Sequence, residues 1–515
     1  MACDTFLKIA QKCKRKFVTK QADELQPFIM TLIASINRHT ADLQPHQVQS
    51  FYESVGTMIS DTGYSVEIVR EEAVLALMES PNRIWSGIVN EVAATNQMDR
   101  LFSLEVTKEL SRILKINTRV CVAAGSIYVQ QLSKIFMDIM SIYRLYSEHI
   151  IQACQQQGEI ATRLTQYKAM RVVKTDILEL LVAFLEASHD LEGGANIICM
   201  TFLPTMKTNI LTDYKTSPPA ARDAKVLKLF ATAVATLKGV LTPEIPAIME
   251  SIFEPTLELI TKNMMDHPEH RTEFFHFLHV ANEFCFFGLF SIPPQHQKLV
   301  IDSIVWAFKH TERNISEEGL EILLAVLKNI DNISGSSPQV SQSFYSSFLL
   351  NLITEIFNIL TDRLHKSGFK VQTDVLHHII TIVMQAKVQV PLFDANLLGQ
   401  LGLAATVDMN NITFIKPYVT KMLVTAFPNL ASQQVGLFVD GLMDVRKDNN
   451  AFKTHMRDFL VTVKEFNSEG DSNTDLFIDE QEASLEAMRN QQQSYMGSVP
   501  GLLSQNETIM DDPDL

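Results

Sequence analysis

Apolar residues return every three or four positions along most of the chain, the repeat of helices that bury one face. The stretch 302–329, DSIVWAFKHTERNISEEGLEILLAVLKN, shows the unit most plainly. Ile304, Val305 and Phe308 mark one stripe, and Leu320, Leu323, Leu324 and Leu327 mark a second. Residues 311–314 between them are too few to link domains. Asn314 followed by Glu317 has the side-chain chemistry of a helix N-cap with its returning acid. The pair is therefore expected to fold back antiparallel. Such a hairpin covers one side of each helix, so Val326 and Trp306 on the far faces call for neighbouring hairpins.

The same alternation predicts helices at 1–18, 25–37, Pro45–Ile59, 66–78, 84–95, 101–114 (ending at Asn117) and 127–155. It continues at 161–185, 197–214, 223–237, 246–262, 269–286, 340–364, 372–387, 414–426, 432–444 and 451–466. Pro45 sits at a first helical turn, where its missing N–H costs nothing. Ser80-Pro81-Asn82, Ser217-Pro218-Pro219 and Asp266-His267-Pro268 read as breaks. No segment alternates with period two between turn dipeptides, so no sheet is expected. Hairpins recur about every 45–50 residues, the spacing of HEAT-type repeats. The fold class that follows is all-α: a HEAT-repeat α-solenoid, a right-handed superhelix of about ten antiparallel helix pairs over residues 1–466. A stack also reconciles 515 residues with the lack of a Pro/Gly/Ser linker before the last fifty. The first helix has no upstream partner to pack on, so the first hairpin is expected to be truncated. Residues 467–496 read as a linker and one more helix, and 497–515 as a disordered acidic tail too polar to bury a core.

Charge sharpens that division. Of the net −15, ten units fall within 469–515, where eleven acids face a single Arg. The repeat body is nearly neutral, which speaks against a general nucleic-acid binder. No uncharged apolar run of membrane-spanning length is evident, so no membrane span is expected. Nothing at the start resembles a secretory signal. Cys3, Cys13, Cys121, Cys154, Cys199 and Cys285 are scattered singly, as reduced core residues of a cytosolic or nuclear protein would be. The sequons at Asn314, Asn332, Asn411 and Asn506 then carry no meaning.

Candidate chemistry is sparse. His267, His270, His276 and His279 form two i, i+3 pairs and are the one plausible metal set, yet they lack Cys partners and a recognised spacing. The plainer expectation places His267 and His270 in an inter-helix turn and the other two partly exposed on the next helix. Phe274, Phe275, Phe277, Phe284, Phe286, Phe287 and Phe290 read as core, with a slot for a partner helix as the alternative. Lys12-Cys13-Lys14-Arg15-Lys16 reads as a solvated helix face ahead of a targeting patch. Phosphate-loop, dinucleotide, nucleophile-elbow and zinc-protease motifs are absent from the sequence, so no catalytic residue, metal or cofactor is expected.

Six stretches are too idiosyncratic for generic helical repeats: FYESVGTMI (51–59), DYKTSPPAARDAKVL (213–227), TLELITKNMMDHPEHRTEFF (256–275), KLVIDSIVWAFKHTERNI (298–315), FKTHMRDFLVTVKEF (452–466) and GSVPGLL (497–503). They resemble the exportin-1 family of karyopherins, receptors for leucine-rich nuclear export signals, and the likeness runs from Met1 into the tail. Family members are about twice this length, and the resemblance covers their C-terminal half. In the family the export-signal groove is formed by helices upstream of the one resembling 1–17. The reactive groove cysteine also lies upstream, so neither Cys3 nor Cys13 is given that role.

The resemblance implies a non-enzymatic, cofactor-free carrier that shuttles between nucleus and cytoplasm. Its implied partners are Ran-GTP, export cargo and nucleoporins, without direct nucleic-acid binding or membrane insertion. It further implies that the helix 476–493, with Leu476, Phe477 and Leu485, and the tail acids Asp511, Asp512 and Asp514 tune groove affinity. Lys309 and Arg313, near a hairpin end, are candidate contacts for acids of Ran, weighed against local pairing with Asp302 or Glu317. The rival reading is a scaffold solenoid with no GTPase linkage, which would ignore the nucleotide on Ran. A hydrolase or transferase would need convergent titratable groups that the sequence does not offer.

Overall fold

A computed structural model describes residues 2–22, 24–61, 69–95, 98–191, 193–262, 266–362, 368–403, 409–444 and 448–466. The chain folds as an all-α helical-repeat solenoid, and among the described residues every regular element is helical. The expectations for the 476–493 helix and the tail, including Leu476, Phe477, Leu485, Asp511, Asp512 and Asp514, lie outside the described residues.

The chain divides into two compact units, Met1–Gln297 and Lys298–Leu515. In the first, one row of helices packs in succession: Ala2–Val18, Pro45–Ile59, Leu104–Ala124, Thr165–Ala187, Lys225–Leu237 and Pro268–Phe284. A second row lies against it, including Arg70–Leu77, Glu79–Thr95, Val129–Gln157, the helix 194–216 and Ile245–Thr261. In the second unit Arg313–Asn332, Phe369–Met384 and Asn449–Phe466 form the stacked row. Pro338–Thr361, Asn411–Ala426 and Ser432–Leu442 pack onto it. Most of the stripes seen in the sequence become the core: Leu320, Leu323 and Leu327 are fully buried, as are Leu110, Leu114, Ile177 and Leu181 to within a per cent, while Leu324 is half-buried and Val326, read on the far face, is fully buried as well. Each such side chain contributes about 1.5–3 kcal/mol on leaving water.

Several expected boundaries move, each for a local reason. The helix expected to end at Asn117 runs on to Ala124, because Asn117 is satisfied where it stands. Its Nδ2 donates to the Ile113 carbonyl (2.9 Å), and its Oδ1 accepts from Tyr128 (2.6 Å) and Gln131 (3.1 Å). Gln131 in turn exchanges two amide hydrogen bonds with Asn82, at 2.9 and 2.8 Å. The expected break falls at Met78, just ahead of Ser80-Pro81-Asn82, which forms the first turn of Glu79–Thr95 with buried Asn82 tied to a helix 49 residues away. Asn314 is not the cap of its helix. That role falls to Glu312, without a side-chain hydrogen bond, and the helix opens at Arg313. The hairpin is closed instead by Ser316, whose Oγ donates to the Phe308 carbonyl at 2.9 Å, and by Gly319. A Cβ on Gly319 would stand 2.7 Å from the Phe308 nitrogen and 2.8 Å from the Ala307 Cβ. Trp306 is half-buried, its ring 5.0 Å from that of His310. Ala395–Leu401 is a helix that no periodicity announced.

The expectation that no stretch suits a membrane also needs correction. Leu104–Gln157, Lys225–Thr261 and Pro338–Thr361 are long and apolar enough by length and composition, since a few interspersed charges do not abolish the average. Half of each apolar window is buried within the fold.

Candidate protein-interaction surfaces

The motif WAFKHTERN occupies a hairpin corner in the second unit. His310, almost fully buried, accepts from the Glu312 N–H at 3.0 Å and so fixes the turn. Lys309 and Arg313 flank it on the surface. Arg313 Nε donates to Glu317 Oε1 at 2.7 Å, the local pairing weighed against a partner contact. Lys309 reaches neither Asp302 nor Glu317. Its Nζ bridges to Glu355 Oε2 at 2.8 Å, on Pro338–Thr361 of the next hairpin. Both cations keep about half their side-chain surface, 44% and 52%, in water. Pairs that exposed contribute only about 0–1 kcal/mol, so exchanging either acid for one from a partner costs little.

The segment DYKTSPPAARDAKVL proves to be a joint in the first unit. Asp213, almost completely buried, accepts from Lys174 Nζ (2.8 Å), Tyr143 Oη (2.9 Å) and Ser217 Oγ (2.8 Å). Those donors come from three different segments, so one carboxylate pins Val129–Gln157 and Thr165–Ala187 to the turn at Ser217. Lys174 also lies over the Tyr143 ring at 4.9 Å. Further along, Arg222 donates to the carbonyls of Tyr214 (3.2 Å) and Pro255 (2.9 Å), and Asp223 accepts from Thr175 at 2.5 Å. Two residues on from Lys174, Asp176 accepts from Ser111 across to Leu104–Ala124. Burial pushes its carboxyl up to about 6, against the opposing pull of Ser111 and Lys115. The sequence signal for this chain of polar joints was a Lys and two Asp set among apolar positions of predicted helices.

Among the described residues the four histidines do not converge as one ligand set. His267 has a left-handed backbone (φ 56°) at the N-cap of Pro268–Phe284 and is exposed. His270 belongs to that helix and not to the turn, and is buried, with burial holding it down to about 4. His276 is exposed and His279 half-buried. Of the aromatic group, Phe274, Phe275 and Phe277 are fully buried and Phe286 nearly so, whereas Phe287 is 57% exposed and departs from the core reading. The six cysteines are free; Cys121 and Cys285 are buried, while Cys3, Cys13, Cys154 and Cys199 are only half-buried.

Two surfaces stand out as places for a partner. Lys12, Arg15 and Lys16 are exposed and Lys14 half-exposed on the first helix, with no acidic partner for any of the four among the described residues. They line a hollow of about 490 Å³ with Thr19, Gln21 and Asp61. A cleft of about 550 Å³ lies between Ile245–Thr261 and residues 291–296, floored by Met249, Phe253, Ile292 and Pro293. Its rim carries Lys215 paired to Glu250 (2.9 Å) and His296 beside Glu254 (3.5 Å). Neither surface brings together the nucleophile, base and oxyanion donors that bond-making chemistry needs.

Comparison with known proteins follows the same outline. The family model described as CRM1 C terminal matches residues 131–468. The chain is 40% identical over 515 residues to Protein EXPORTIN 1B of Arabidopsis thaliana, covering 99% of this chain and 45% of that protein. It is 38% identical over 503 residues to Exportin-1 of Schizosaccharomyces pombe, covering 98% of this chain and 45% of that protein. Against Exportin-1 of Drosophila melanogaster it is 37% identical over 516 residues, covering all of this chain and 46% of that protein. The chain thus spans about half the length of the curated relatives it matches.

Proposed function

The chain belongs to the exportin-1 family, of which it carries the CRM1 C-terminal region, and on that premise we propose that it forms the C-terminal part of a nuclear export receptor. The activity is Ran-GTP-dependent carriage of proteins bearing leucine-rich signals from nucleus to cytoplasm, with nucleoporins met on the way. Recognition is its work and it makes no bonds. It binds neither nucleic acid nor the membrane interior. The observation that carries this reading is that the match to relatives named exportin spans 98–100% of the chain, across both compact units.

In this reading the repeats supply a nearly neutral frame on which a few exposed charges meet Ran. Lys309 and Arg313 are the proposed contacts, because each is a half-exposed cation whose present acid it can trade for one on the GTPase. The export-signal groove lies in the part of the receptor beyond this chain. The segment with Leu476, Phe477 and Leu485 and the tail acids Asp511, Asp512 and Asp514 act as the regulatory arm that tunes the groove; a peptide carrying most of the chain's net negative charge is drawn to basic surface over a Debye length.

Immobilised Ran loaded with GTP or with GDP tests the reading. The proposal expects this chain to be retained by the GTP form and lost from the GDP form. Equal retention on both, or none on either by a chain shown to be folded, contradicts it and favours a scaffold.

A further inference from the structure

The helix 194–216 differs from every neighbour in the first unit. It starts from Gly193 in a left-handed conformation (φ 64°) and then alternates: Gly194–Ile197 α, Ile198–Phe202 π, Leu203–Met206 α, Lys207–Leu211 π, Thr212–Thr216 α. A π turn returns its hydrogen bond five residues back and accommodates an extra residue in the spiral. The sequence gives a cause for the first. Pro204 has no N–H for the Met200 carbonyl and its ring crowds that carbonyl, which a wider turn ahead of it relieves. In the second, Thr208 Oγ1 takes the Pro204 carbonyl at 3.0 Å and Asn209 Nδ2 takes the Thr205 carbonyl at 3.1 Å, side chains serving backbone acceptors. Proline alone does not suffice, since Ile245–Thr261 and Asn411–Ala426 carry internal Pro255 and Pro417 and stay α-helical.

The two ends of this helix are held differently from its middle. Phe202 is locked edge-on between Phe136 (4.9 Å) and Phe184 (5.2 Å). Asp213 is pinned by Lys174 and Tyr143, and Tyr214 Oη meets Thr256 Oγ1 at 2.8 Å. Between those anchors, the second π segment is joined to the rest of the unit through the Lys207–Glu244 pair and the buried Ile210 and Leu211. Gaining or losing one residue in a helical spiral turns it by about 100° and slides it by about 1.5 Å. A helix fixed at both ends with a π turn between them holds one such residue in reserve.

We propose that residues 203–211 are a built-in flexure of the first unit: the π turn can wind and unwind between the Phe202 and Asp213 anchors, letting the second row of helices change length while the stacked row keeps its packing. The inference is independent of the functional reading above.

Hydrogen exchange on the full 515-residue chain tests it without any substitution. Amides of 203–211 should exchange about tenfold or more faster than those of the flanking Thr165–Ala187 and Lys225–Leu237, through local opening and not global unfolding. Equal protection overturns the proposal. Removing one residue from the π segment, exposed Thr208, should leave a regular α-helix in register with both anchors. That variant should keep the wild-type melting temperature to within a few degrees and slow exchange at 203–211 about tenfold. Loss of the fold on that deletion, or unchanged exchange in a folded variant, contradicts the stored residue.

Discussion

Replacing Asp213 by Asn leaves the shape of its site intact and removes only the charge. The carboxylate compensates Lys174, which is itself 4% exposed, and also accepts from Tyr143 and Ser217. An amide oxygen can keep the Tyr143 bond, and Ser217 can turn to accept from the new N–H, but Lys174 is left as a buried cation without a counter-ion. Breaking one partner of a buried pair costs about 3–5 kcal/mol, a large part of the total stability of about 5–15 kcal/mol usual for a folded domain. Lys174→Met should cost a similar amount by stranding the carboxylate. The double variant Lys174→Met/Asp213→Asn carries no charge and should be no less stable than either single variant, a coupling of about 3 kcal/mol or more between neighbours. Urea unfolding read by fluorescence suits the test, since the two tryptophans, Trp85 and Trp306, fall in different units and Trp306→Phe leaves buried Trp85 to report the first alone. Single variants that cost under about 1 kcal/mol, or a double variant as unstable as the sum, would refute the claim that this pair locks the joint.

The hairpin corner makes a sharper steric prediction: Gly319→Ala drives a Cβ to 2.7 Å from backbone that cannot move away, so the second unit should lose about 1–3 kcal/mol by overpacking, checked by urea titration with Trp306 as the reporter. Two buried groups in the first unit titrate in opposite senses. Asp176 is raised from 3.8 to about 6, so the folded state binds its proton more tightly and stability falls as pH rises from about 4 to 6. His270 is lowered from 6.5 to about 4, so the unfolded state takes the proton first and stability rises over much the same window. Asp176→Asn should therefore expose a unit destabilised by acid, and His270→Leu one stabilised by it, in melting temperatures between pH 4 and 6.5. At the proposed Ran contact, the double reversal Lys309→Glu/Arg313→Glu should weaken retention on Ran-GTP about tenfold or more at low salt while leaving melting within a few degrees; unchanged retention would place the contact elsewhere.

Regular spacing made the architecture readable. Pro45–Ile59 was legible to the residue because proline opens it and its apolar stripe fills one face. What misled was polar residues whose partners lie far along the chain. Asn117 and Asn82 look like stops until Gln131 and Tyr128 are brought beside them, and Asn314 looks like a cap until Ser316 and Gly319 are seen closing the same turn. Lys309 was matched with acids nearby in sequence, whereas its partner Glu355 comes from the next hairpin, a proximity that only stacking creates. The motifs carrying the family resemblance had the same character: DYKTSPPAARDAKVL and WAFKHTERN are unusual because they hold one repeat to another. The π turns of 194–216 were invisible, since they keep enough helical periodicity to read as an ordinary helix.

The central claim is that this chain serves as the C-terminal part of an export receptor, and function in a cell is its most direct test. A chimera joining the upstream part of Exportin-1 from Schizosaccharomyces pombe to residues 1–515 can replace that protein in fission yeast carrying a fluorescent reporter with a leucine-rich export signal. The reporter should leave the nucleus when the chimera is the sole source of receptor. A reporter that stays nuclear, with the chimera folded and present at normal levels, would contradict it.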